Sequence, residues 1–565
     1  MTKPTNPPKN STKPVNPYDV DRTWPAYFQE HRKLTVDQQG TYRCADLPVW
    51  TVYCPGGHLG NAIVIEGDDG LIVYDTGTSL EAGRIIAAEI RKVSDKPIRA
   101  IFYSHHHADH YNGTAALVEP ADVAAGRVDI YAWENFESER NTEFGEIASR
   151  QAMGVAYFGG AFLSPDDQHH HGIGTMPAAG TPGFIPPTKL LSGNEPLTLC
   201  GVELRPFYTG GEALSEFGIH LPAYDMVLLA DEFFTGIPNL HTIRGAKPRV
   251  PDNYVTALDR VRELAPEWLL GSHIMPLHGK ERIAEAVTKY RDATQYLWDQ
   301  SIRLINKGYT PVELQHALKD LPEEVIDPPY TVPMYGVPFT SVPEFFTGWV
   351  SWFSGDATDM FPSPHDVKAR RFVELMGGVE AVLDAAKADH AKGEHQLAAE
   401  LAQLALRAAP SHEDARLLKA AALRAIGYQQ VNPIARSWYL TGALELERAF
   451  DPQLALDAVG RIIAAHQSGP DVVAGWRYHL DADKAAGKTL TVGVRFTDSG
   501  DARTIRVRHR ILVVEDGLAD DRDGLVEATS DVIASAETVE GDASAWPALV
   551  DLLDLSTTGF HMHMR

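Results

Sequence analysis

The stretch IFYSHHHADHYNGT, residues 101–114, constrains this chain more than any other part of it. Four histidines and one aspartate fall within six positions, directly after an apolar run of β-branched and aromatic residues. Imidazole and carboxylate groups together suit zinc or a similar borderline cation, so this pattern favours a metal site at the end of a buried strand. The alternative is an accidental histidine-rich loop, and four donors at this spacing argue against it.

The spacing H-x-H-x-D-H indicates more than one ion. Residues two apart on a strand face the same side, so His105 and His107 can reach one metal ion. Beyond the strand end, Asp109 and His110 can turn toward a second ion beside the first. Two clustered ions need further ligands, which must come from later parts of the chain.

Composition excludes several partners. The 51 Lys and Arg residues face 76 Asp and Glu residues, giving a net charge of −25. This balance argues against nucleic acid and anionic membrane surfaces, and an anionic substrate would need a locally positive site. No stretch reaches the ~20 apolar residues that span a bilayer, so no stable membrane insertion is expected. Residues 1–20 predict a disordered leader without a secretory signal, and hence a cytoplasmic protein.

The chain is long enough for several domains. From about residue 48 to 300, strand and helix signals alternate, which indicates an α/β sandwich. Within it, AIVIEGDDGLIVYDTG predicts a hairpin, and SLEAGRIIAAEIRKV predicts a helix capped by Thr78 or Ser79. The three cysteines, Cys44, Cys54 and Cys200, predict neither a disulfide framework nor thiolate ligands near the histidines.

The rest of the chain changes character twice. Residues 300–365 are rich in Pro and aromatic residues and predict a long ordered connection, because aromatic side chains need burial. Residues 370–445 are rich in Ala and Leu and contain a tetratricopeptide-like helix pair. After residue 446, apolar residues alternate in LTVGVRF and TIRVRHRILVVEDG, which predicts half-buried antiparallel strands in a small α+β domain.

The H-x-H-x-D-H signature, together with Asp75 in YDTG, resembles the metallo-β-lactamase superfamily. The three segments in their order, and the junction ALRAIGYQQVNPIARSWYLTGA, are similar to the alkylsulfatases within it. The resemblance implies an α/β metallo-β-lactamase αββα sandwich, an all-α helical dimerisation domain and a small α+β sterol-carrier-protein-like domain, in a homodimer. The predicted boundaries are residues 1–40 for a disordered leader and N-terminal arm, 41–310 for the catalytic domain, 311–440 for the connection and dimerisation domain, and 441–565 for the sterol-carrier-like domain.

The resemblance also implies a ligand set for two Zn²⁺ ions per chain. His105, His107 and Glu212 would hold one ion, Asp109, His110 and His273 would hold the other, and Asp231 would bridge them. Glu212 stands where most of the superfamily has histidine, and a glutamate there is typical of alkylsulfatases. Glu232 is the alternative bridge, and His278 is the alternative last histidine.

For the sulfate group, the resemblance points to Asn239 and Arg244 in GIPNLHTIRGA. A guanidinium fork matches a tetrahedral oxyanion, although a structural salt bridge is the other interpretation of Arg244. The chain departs from the family at Thr340, Phe345 and Phe346, where His and Tyr are expected, so no proton donor is assigned.

Tyr157 and residues 165–185 are the candidate proton donors. The run His169–His171 predicts a solvated loop or one that covers the active site, and the final HMHMR predicts a mobile tail.

The function implied is a binuclear zinc hydrolase that cleaves alkyl sulfate esters to inorganic sulfate and an alcohol, with Asp231 and Arg244 as catalytic residues. One alternative is a hydrolase of the same fold that acts on a phosphodiester, lactone or thioester. Another is a lipid carrier or scaffold with a vestigial metal site. Glu212 argues against the hydrolase of another ester, and the complete set of seven donors argues against the carrier with a vestigial site.

Overall fold

A computed structural model describes residues 16–18, 20–176, 180–457, 468–555 and 560–563 of the chain. The chain divides into two compact units. One comprises residues 1–137, 153–452 and 560–565, and the other comprises residues 138–152 and 453–559. The domain boundaries given above stay predictions. Among the described residues, no helix combines the length and apolar character needed to cross a membrane.

The first unit begins with a seven-stranded sheet whose strands follow one another in chain order. Its strands are β1 (Gly40–Arg43), β2 (Val49–Tyr53), β3 (Ala62–Glu66), β4 (Leu71–Tyr74), β5 (Ile98–Phe102), β6 (Asp129–Trp133) and β7 (Lys189–Leu191). The predicted hairpin is confirmed as the antiparallel pair β3–β4, and β4 to β7 run parallel.

Seven helices accompany this part of the chain. They are α1 (Ala26–Leu34), α2 (Leu80–Val93), α3 (Ala108–Tyr111), α4 (Thr114–Leu117), α5 (Pro120–Ala124), α6 (Phe136–Gly145) and α7 (Ala148–Phe158). The cap of α2 is Ser79, whose hydroxyl accepts a hydrogen bond from the Ala82 amide at 3.2 Å.

A second sheet of six strands packs against the first. It contains β8 (Leu197–Leu199), β9 (Val202–Tyr208), β10 (Phe217–Leu221), β11 (Met226–Leu228), β12 (Trp268–Leu270) and β13 (Leu277–His278). Helix α8 (Pro251–Leu264) lies between β11 and β12 in the chain, and helix α9 (Lys280–Ile305) follows β13. Ile63 and Ile65 of β3 face Leu204 and Ile219 across the two sheets, while Val64 turns outward.

Helices cover both outer faces of the sheet pair. Val64 and Ile101 pack against Ile86 of α2 on one side, and Val227 packs against α8 and α9 on the other. The predicted αββα sandwich is therefore confirmed. The free thiols of Cys44, Cys54 and Cys200 confirm that they form no disulfide framework.

The remaining helices of the first unit form an α-helical region. They are α10 (Pro311–Ala317), α11 (Pro338–Val350), α12 (His365–Leu375), α13 (Val379–Ala391), α14 (His395–Ala408), α15 (Glu413–Gln429) and α16 (Pro433–Leu446). Small apolar side chains of α13 to α16 make one core, as the predicted helix pair requires.

The expectation that aromatic residues of the connection are buried is only partly met. Phe345 and Phe346 are buried against Leu297, but Trp349 is 68% exposed and Phe361 is 90% exposed. This part of the chain therefore presents large apolar side chains at its surface.

The second unit contains the predicted α+β fold. Its sheet has β14 (Leu490–Phe496), β15 (Ala502–Arg508), β16 (Ile511–Asp516), β17 (Gly524–Ala528) and β18 (Thr538–Gly541), accompanied by α17 (Gly469–Gly475) and α18 (Ala545–Asp551). The predicted alternation is confirmed, because Val492, Val494 and Ile505 are buried against Trp476 and Trp546. The likeness to sterol carriers stays a prediction.

Asn16, Met562 and His563, near the two ends of the described residues, contact the helical region. The predicted disordered leader falls mainly on residues 1–15 and 19, which lie outside the described residues. Asn16 donates to the Leu417 carbonyl at 3.0 Å, so the leader prediction does not hold at this residue. The prediction of a mobile tail is wrong for Met562 and His563, whose amides donate to Glu445, while residues 564 and 565 lie outside the described part.

Candidate metal centre

The predicted ligands lie where several strands end. β5 ends at Phe102, and the histidines follow it in a turn that leads into α3. In the second sheet, Glu212 follows β9, Asp231 follows β11 and His273 follows β12. Because β9, β11 and β12 run in the same direction, their carboxyl ends share one edge of the sheet. Side chains far apart in the sequence meet at this edge.

His105 and His107 do approach each other, but not as neighbours on a strand. Their ring nitrogens Nε2 and Nδ1 lie 2.8 Å apart, although both residues come after the end of β5. The alternation of side chains along a strand, on which the prediction was based, is therefore not what brings the two rings together. His106, between them, turns away and places its Nδ1 2.7 Å from the Ser215 hydroxyl.

A buried aspartate orients the histidines. Asp75 accepts hydrogen bonds from the amide and hydroxyl of Ser104 at 2.8 and 2.9 Å, and from Ser272 at 2.7 Å. Its Oδ2 lies 2.8 Å from His110 Nδ1, which leaves Nε2 of that ring pointing at the other ligands. The Ser104 hydroxyl likewise lies 3.0 Å from His105 Nδ1. Partners of this kind fix the orientation of metal-binding imidazoles.

Asp231 lies between two groups of donors. Its Oδ2 is 3.9 Å from His105 Nε2, 3.5 Å from His110 Nε2 and 3.2 Å from His273 Nε2. Asp109 completes the second group, with its carboxylate 3.3 Å from His273 Nε2 and 3.5 Å from His110 Nε2. Among the described residues, two clusters have the spacing of a metal site, namely His105, His107 and Asp231, and Asp109, His110 and His273.

Glu212 lies beside the first group in a buried position. Its Oε1 is 3.9 Å from His107 Nδ1. Its Oε2 accepts a hydrogen bond from the Tyr254 hydroxyl at 2.6 Å and forms an ion pair with Arg249. Burial raises the pKa of Glu212 to about 8, and Arg249 opposes this rise. Two side chains thus hold one oxygen of Glu212 and leave the other toward His107.

The charges of the second group depend on one another. Burial alone would raise the pKa of Asp109 and Asp231, but the neighbouring imidazoles lower both well below the usual range. Burial would lower the pKa of His273, but Asp231 and Asp109 raise it to about 9. Buried carboxylates that draw protons onto imidazoles in this way would equally favour a divalent cation.

The donors fit zinc. Imidazole nitrogens and carboxylate oxygens are its usual ligands, and each group supplies three of them. Several of these atoms are buried without a hydrogen bond to any described residue, namely His110 Nε2, His273 Nε2 and Asp231 Oδ1. Orphaned polar atoms are costly in a folded protein, and a bound cation would satisfy them.

The predicted sulfate-binding residues lie in the loop after β11. Arg244 Nη2 is 3.4 Å from His107 Nε2, which places the guanidinium beside this predicted ligand. Asn239 is 3% exposed, and its side-chain nitrogen has no hydrogen bond with any residue in the described ranges. Its backbone carbonyl accepts a hydrogen bond from Arg249 at 2.6 Å. Arg249 thus connects Glu212 to the loop that carries Asn239.

Comparisons with known proteins agree with this geometry. The chain matches the family models for the metallo-beta-lactamase superfamily over residues 55–273 and for alkyl sulfatase dimerisation over residues 310–449. It is 36% identical over 468 residues to a linear primary-alkylsulfatase from Pseudomonas sp. (strain ATCC 19151), covering 80% of this chain and 88% of that protein. The chain belongs to the alkylsulfatase family.

Two further alkylsulfatases extend the likeness. The chain is 30% identical to the alkyl/aryl-sulfatase BDS1 from Saccharomyces cerevisiae (strain ATCC 204508 / S288c), covering 83% of this chain and 74% of that one. The solved structure of the stereoselective inverting sec-alkylsulfatase Pisa1 from Pseudomonas sp. has a TM-score of 0.86 and 27% identity, covering 94% of this chain and 87% of that one.

Three other side chains considered from the sequence have partners outside the two clusters. Glu232 is buried and accepts a hydrogen bond from the Gly211 amide at 2.6 Å, outside both clusters. His278 is exposed and pairs with Glu267 at 2.9 Å. The Tyr157 hydroxyl donates to Glu445 instead, which argues against its role as proton donor.

Sequence reasoning missed the residues that support the ligands. Ser104 and Ser272 each precede a predicted ligand, but no sequence pattern shows that both bond Asp75. Arg249 and Tyr254 meet Glu212 only after folding. Asp75 was flagged by YDTG but without a role. Thr340 and Phe345, the departures from the family pattern, lie in α11, where Phe345 packs in an apolar core.

Proposed function

We propose that the chain hydrolyses alkyl sulfate esters to inorganic sulfate and an alcohol, with two zinc ions held by the candidate metal centre. The observation that carries this proposal is the pair of three-residue clusters that meet at Asp231. The related proteins of known activity act on primary alkyl, secondary alkyl and alkyl or aryl sulfates, as their names state. The sulfate group of these substrates fits the nitrogen donors of Arg244 and Asn239 beside the clusters.

The proposed ligands divide between the ions as the clusters suggest. His105, His107 and Glu212 would hold one, and Asp109, His110 and His273 would hold the other, with Asp231 between them. Zinc, when bound, supplies Lewis-acid chemistry and lowers the pKa of water to about 7, so that hydroxide is available at neutral pH. Asp75 keeps the imidazoles in the required orientation through His110 and Ser104.

Arg244 and Asn239 would hold the sulfate group. A guanidinium and an amide nitrogen both donate to sulfate oxygens, and the guanidinium adds positive charge in a chain whose net charge is −25. The buried amide of Asn239 has no other partner among the described residues, so an oxyanion would satisfy it. We expect Arg244, through the sulfate group, and Asp231, through the two ions, to be the catalytic residues.

We also propose that the protein is a homodimer. Residues 310–449 match the model for alkyl sulfatase dimerisation, and they contain the exposed side chains of Trp349, Trp352 and Phe361. Large apolar side chains clustered at a surface mark an interface with another protein. Sedimentation equilibrium should give twice the chain mass of 62.0 kDa, and a monomer mass at micromolar concentration would contradict the proposal.

The first experiment is sulfate release from dodecyl sulfate by purified protein of known zinc content, with His107→Ala beside the wild type. We expect release that depends on zinc and is lost in the variant, because His107 is a proposed ligand. Bound zinc without release from any alkyl sulfate would move the search to phosphodiesters, lactones and thioesters. No bound zinc after its addition at neutral pH would contradict the hydrolase proposal and leave the lipid-carrier alternative.

A further inference from the structure

The second histidine run, His169–His171, does not behave as a surface loop. His170 and His171 are buried, and His171 is only 2% exposed. The Nδ1 atom of His171 is buried and forms no hydrogen bond with any residue in the described part of the chain. An ordered water or a bound molecule would satisfy a buried polar atom of this kind.

The backbone around His171 is held firmly. The His171 amide donates to the Gly174 carbonyl at 2.9 Å, and the Gly172 amide donates to His170 Nδ1 at 3.2 Å. His170 Nε2 in turn lies 2.9 Å from the Phe28 carbonyl in α1. This N-terminal helix therefore fixes the turn, and the turn fixes the position of the His171 ring.

A series of aromatic rings connects His171 to the candidate metal centre. The His171 ring lies 4.8 Å from Phe158 and 6.0 Å from Tyr335, measured between ring centroids. Tyr335 lies 5.1 Å from Phe234, which lies 5.9 Å from the proposed ligand His273. These rings belong to one apolar cluster, together with Leu59, Ile173 and Ile434.

The surroundings of His171 also determine its charge. Burial lowers the pKa of His171 to about 3, and the charges that act on it come from Asp109, His273 and Arg244. The ring is therefore neutral at pH 7, with one N–H donor. The ring thus lies against the aromatic side chains of Phe158 and Tyr335, which suit an alkyl chain, while Arg244 and Asp109 act on its charge.

We propose that His171 donates a hydrogen bond to the bridging oxygen of the alkyl sulfate, the atom that joins sulfur to carbon. This inference rests on the proposed function. The bridging oxygen is the junction of the charged and apolar halves of the substrate, and the ring contacts of His171 run from the apolar Phe158 on one side toward the proposed ligand His273 on the other. His171 is then a catalytic residue that contacts the reacting atoms.

The same contact assists either bond cleavage. Hydrolysis breaks the S–O or the C–O bond, and in both cases the electron pair of that bond stays on the bridging oxygen. The oxygen of water forms the new bond to sulfur or to carbon, and a proton of water completes the alcohol or remains with sulfate. A donor aimed at the bridging oxygen stabilises the negative charge that develops there.

The test compares a sulfate ester with a sulfonate that lacks the bridging oxygen. Decyl sulfate serves as substrate, and undecane-1-sulfonate, which has CH₂ in place of that oxygen, serves as competitive inhibitor. In His171→Phe we expect kcat/KM for decyl sulfate to fall roughly 10- to 100-fold, the range for one hydrogen bond to a charged group. The inhibition constant of the sulfonate should change less than about twofold. His171→Asn, which keeps an N–H donor, should retain more activity than the Phe variant.

Controls make the outcomes distinct. His169→Phe changes the neighbouring ring, which stacks on Trp24 instead, and should leave both values unchanged. Equal losses of kcat/KM and of sulfonate affinity in His171→Phe would show a packing role and overturn the proposal, as would no loss at all. If His171→Phe does not fold, His171→Leu takes its place under the same criteria. A wild type that releases no sulfate from any alkyl sulfate would refute the proposed function itself, which is a different result.

Discussion

The chain contains two runs of three consecutive histidines, and they lie in opposite surroundings. His105–His107 follow a buried strand and meet the carboxylates of Glu212 and Asp231. His169–His171 lie in a turn among aromatic rings and backbone carbonyls, against Phe28, Phe158 and Tyr335. We thus assign metal binding to the first run, whereas the histidines of the second run are neutral and lie among aromatic rings.

The difference shows that neighbouring carboxylates decide what a buried histidine can do. Burial alone lowers the pKa of every imidazole, and it does so for His170 and His171. At the candidate metal centre burial likewise lowers the pKa of His105, but at His273 Asp231 and Asp109 outweigh burial and raise the pKa. Carboxylates close to an imidazole favour a proton or a metal cation there, whereas an imidazole buried among apolar rings stays neutral.

The largest effect should come from Asp231→Asn, which removes one of these carboxylate charges. The substitution keeps the shape of the side chain but removes the charge that lies between His105, His110 and His273. We expect bound zinc to fall below the wild-type ratio and kcat/KM for dodecyl sulfate to fall roughly 10³-fold, the equivalent of about 4 kcal/mol of transition-state stabilisation. Metal analysis by plasma mass spectrometry and sulfate release measure the two quantities.

Glu232→Gln is the matched control for this substitution. Glu232 is adjacent in sequence and equally buried, but it faces the Gly211 amide instead of the histidines. Its variant should keep the zinc content and lose less than about tenfold in kcat/KM. A normal zinc content in Asp231→Asn, with loss of zinc in Glu232→Gln, would reverse the assignment of the bridging carboxylate.

A smaller effect should follow from loosening the second run with His170→Ala. This change removes the bonds to the Phe28 carbonyl and the Gly172 amide and leaves a cavity. We expect the free energy of unfolding to fall by about 2 kcal/mol and kcat/KM to fall about tenfold, with zinc content unchanged. Urea unfolding and metal analysis test this, with His169→Ala as control. Loss of zinc in His170→Ala would mean that the two runs are not separate as described.

How far the sequence predicts the molecule differs between these two runs. The H-x-H-x-D-H spacing sufficed to place His105, His107, Asp109 and His110 in the two candidate clusters, because one strand end and one turn bring them together. The more distant ligand positions required a resemblance to a family.

The burial of His170 and His171 had no comparable signal. It depends on α1, which packs Phe28 against the histidine turn from far along the chain. Pro and Gly around the run predicted a loop, but no periodicity revealed that another segment covers it. The hydrogen-bond partners of Glu212 were hidden for the same reason, since Arg249 and Tyr254 meet it only in the fold.

The smallest effect concerns His31, which extends the neutral histidine environment into α1. Its Nε2–H donates to the Thr235 carbonyl at 2.9 Å, and its ring lies 5.8 Å from that of His170. Burial lowers the pKa of His31 to about 4, which the bond to Thr235 partly opposes. Between pH 6.5 and 4 the unfolded chain therefore binds more protons at this residue than the folded chain does, so its contribution to stability falls as the pH falls.

Replacing His31 with Gln should reduce this acid sensitivity. From pH 6.5 to 5.5 the wild type should lose about 1 kcal/mol more free energy of unfolding than His31→Gln, because one titrating group has been removed. Urea unfolding at the two pH values measures the difference, and His365→Gln, an exposed histidine, should match the wild type. His170 keeps its own lowered pKa, so the variant should retain part of the pH dependence. Equal losses in the wild type and His31→Gln would mean that His31 titrates as an exposed histidine does, and the neutral environment would then be confined to the histidine turn.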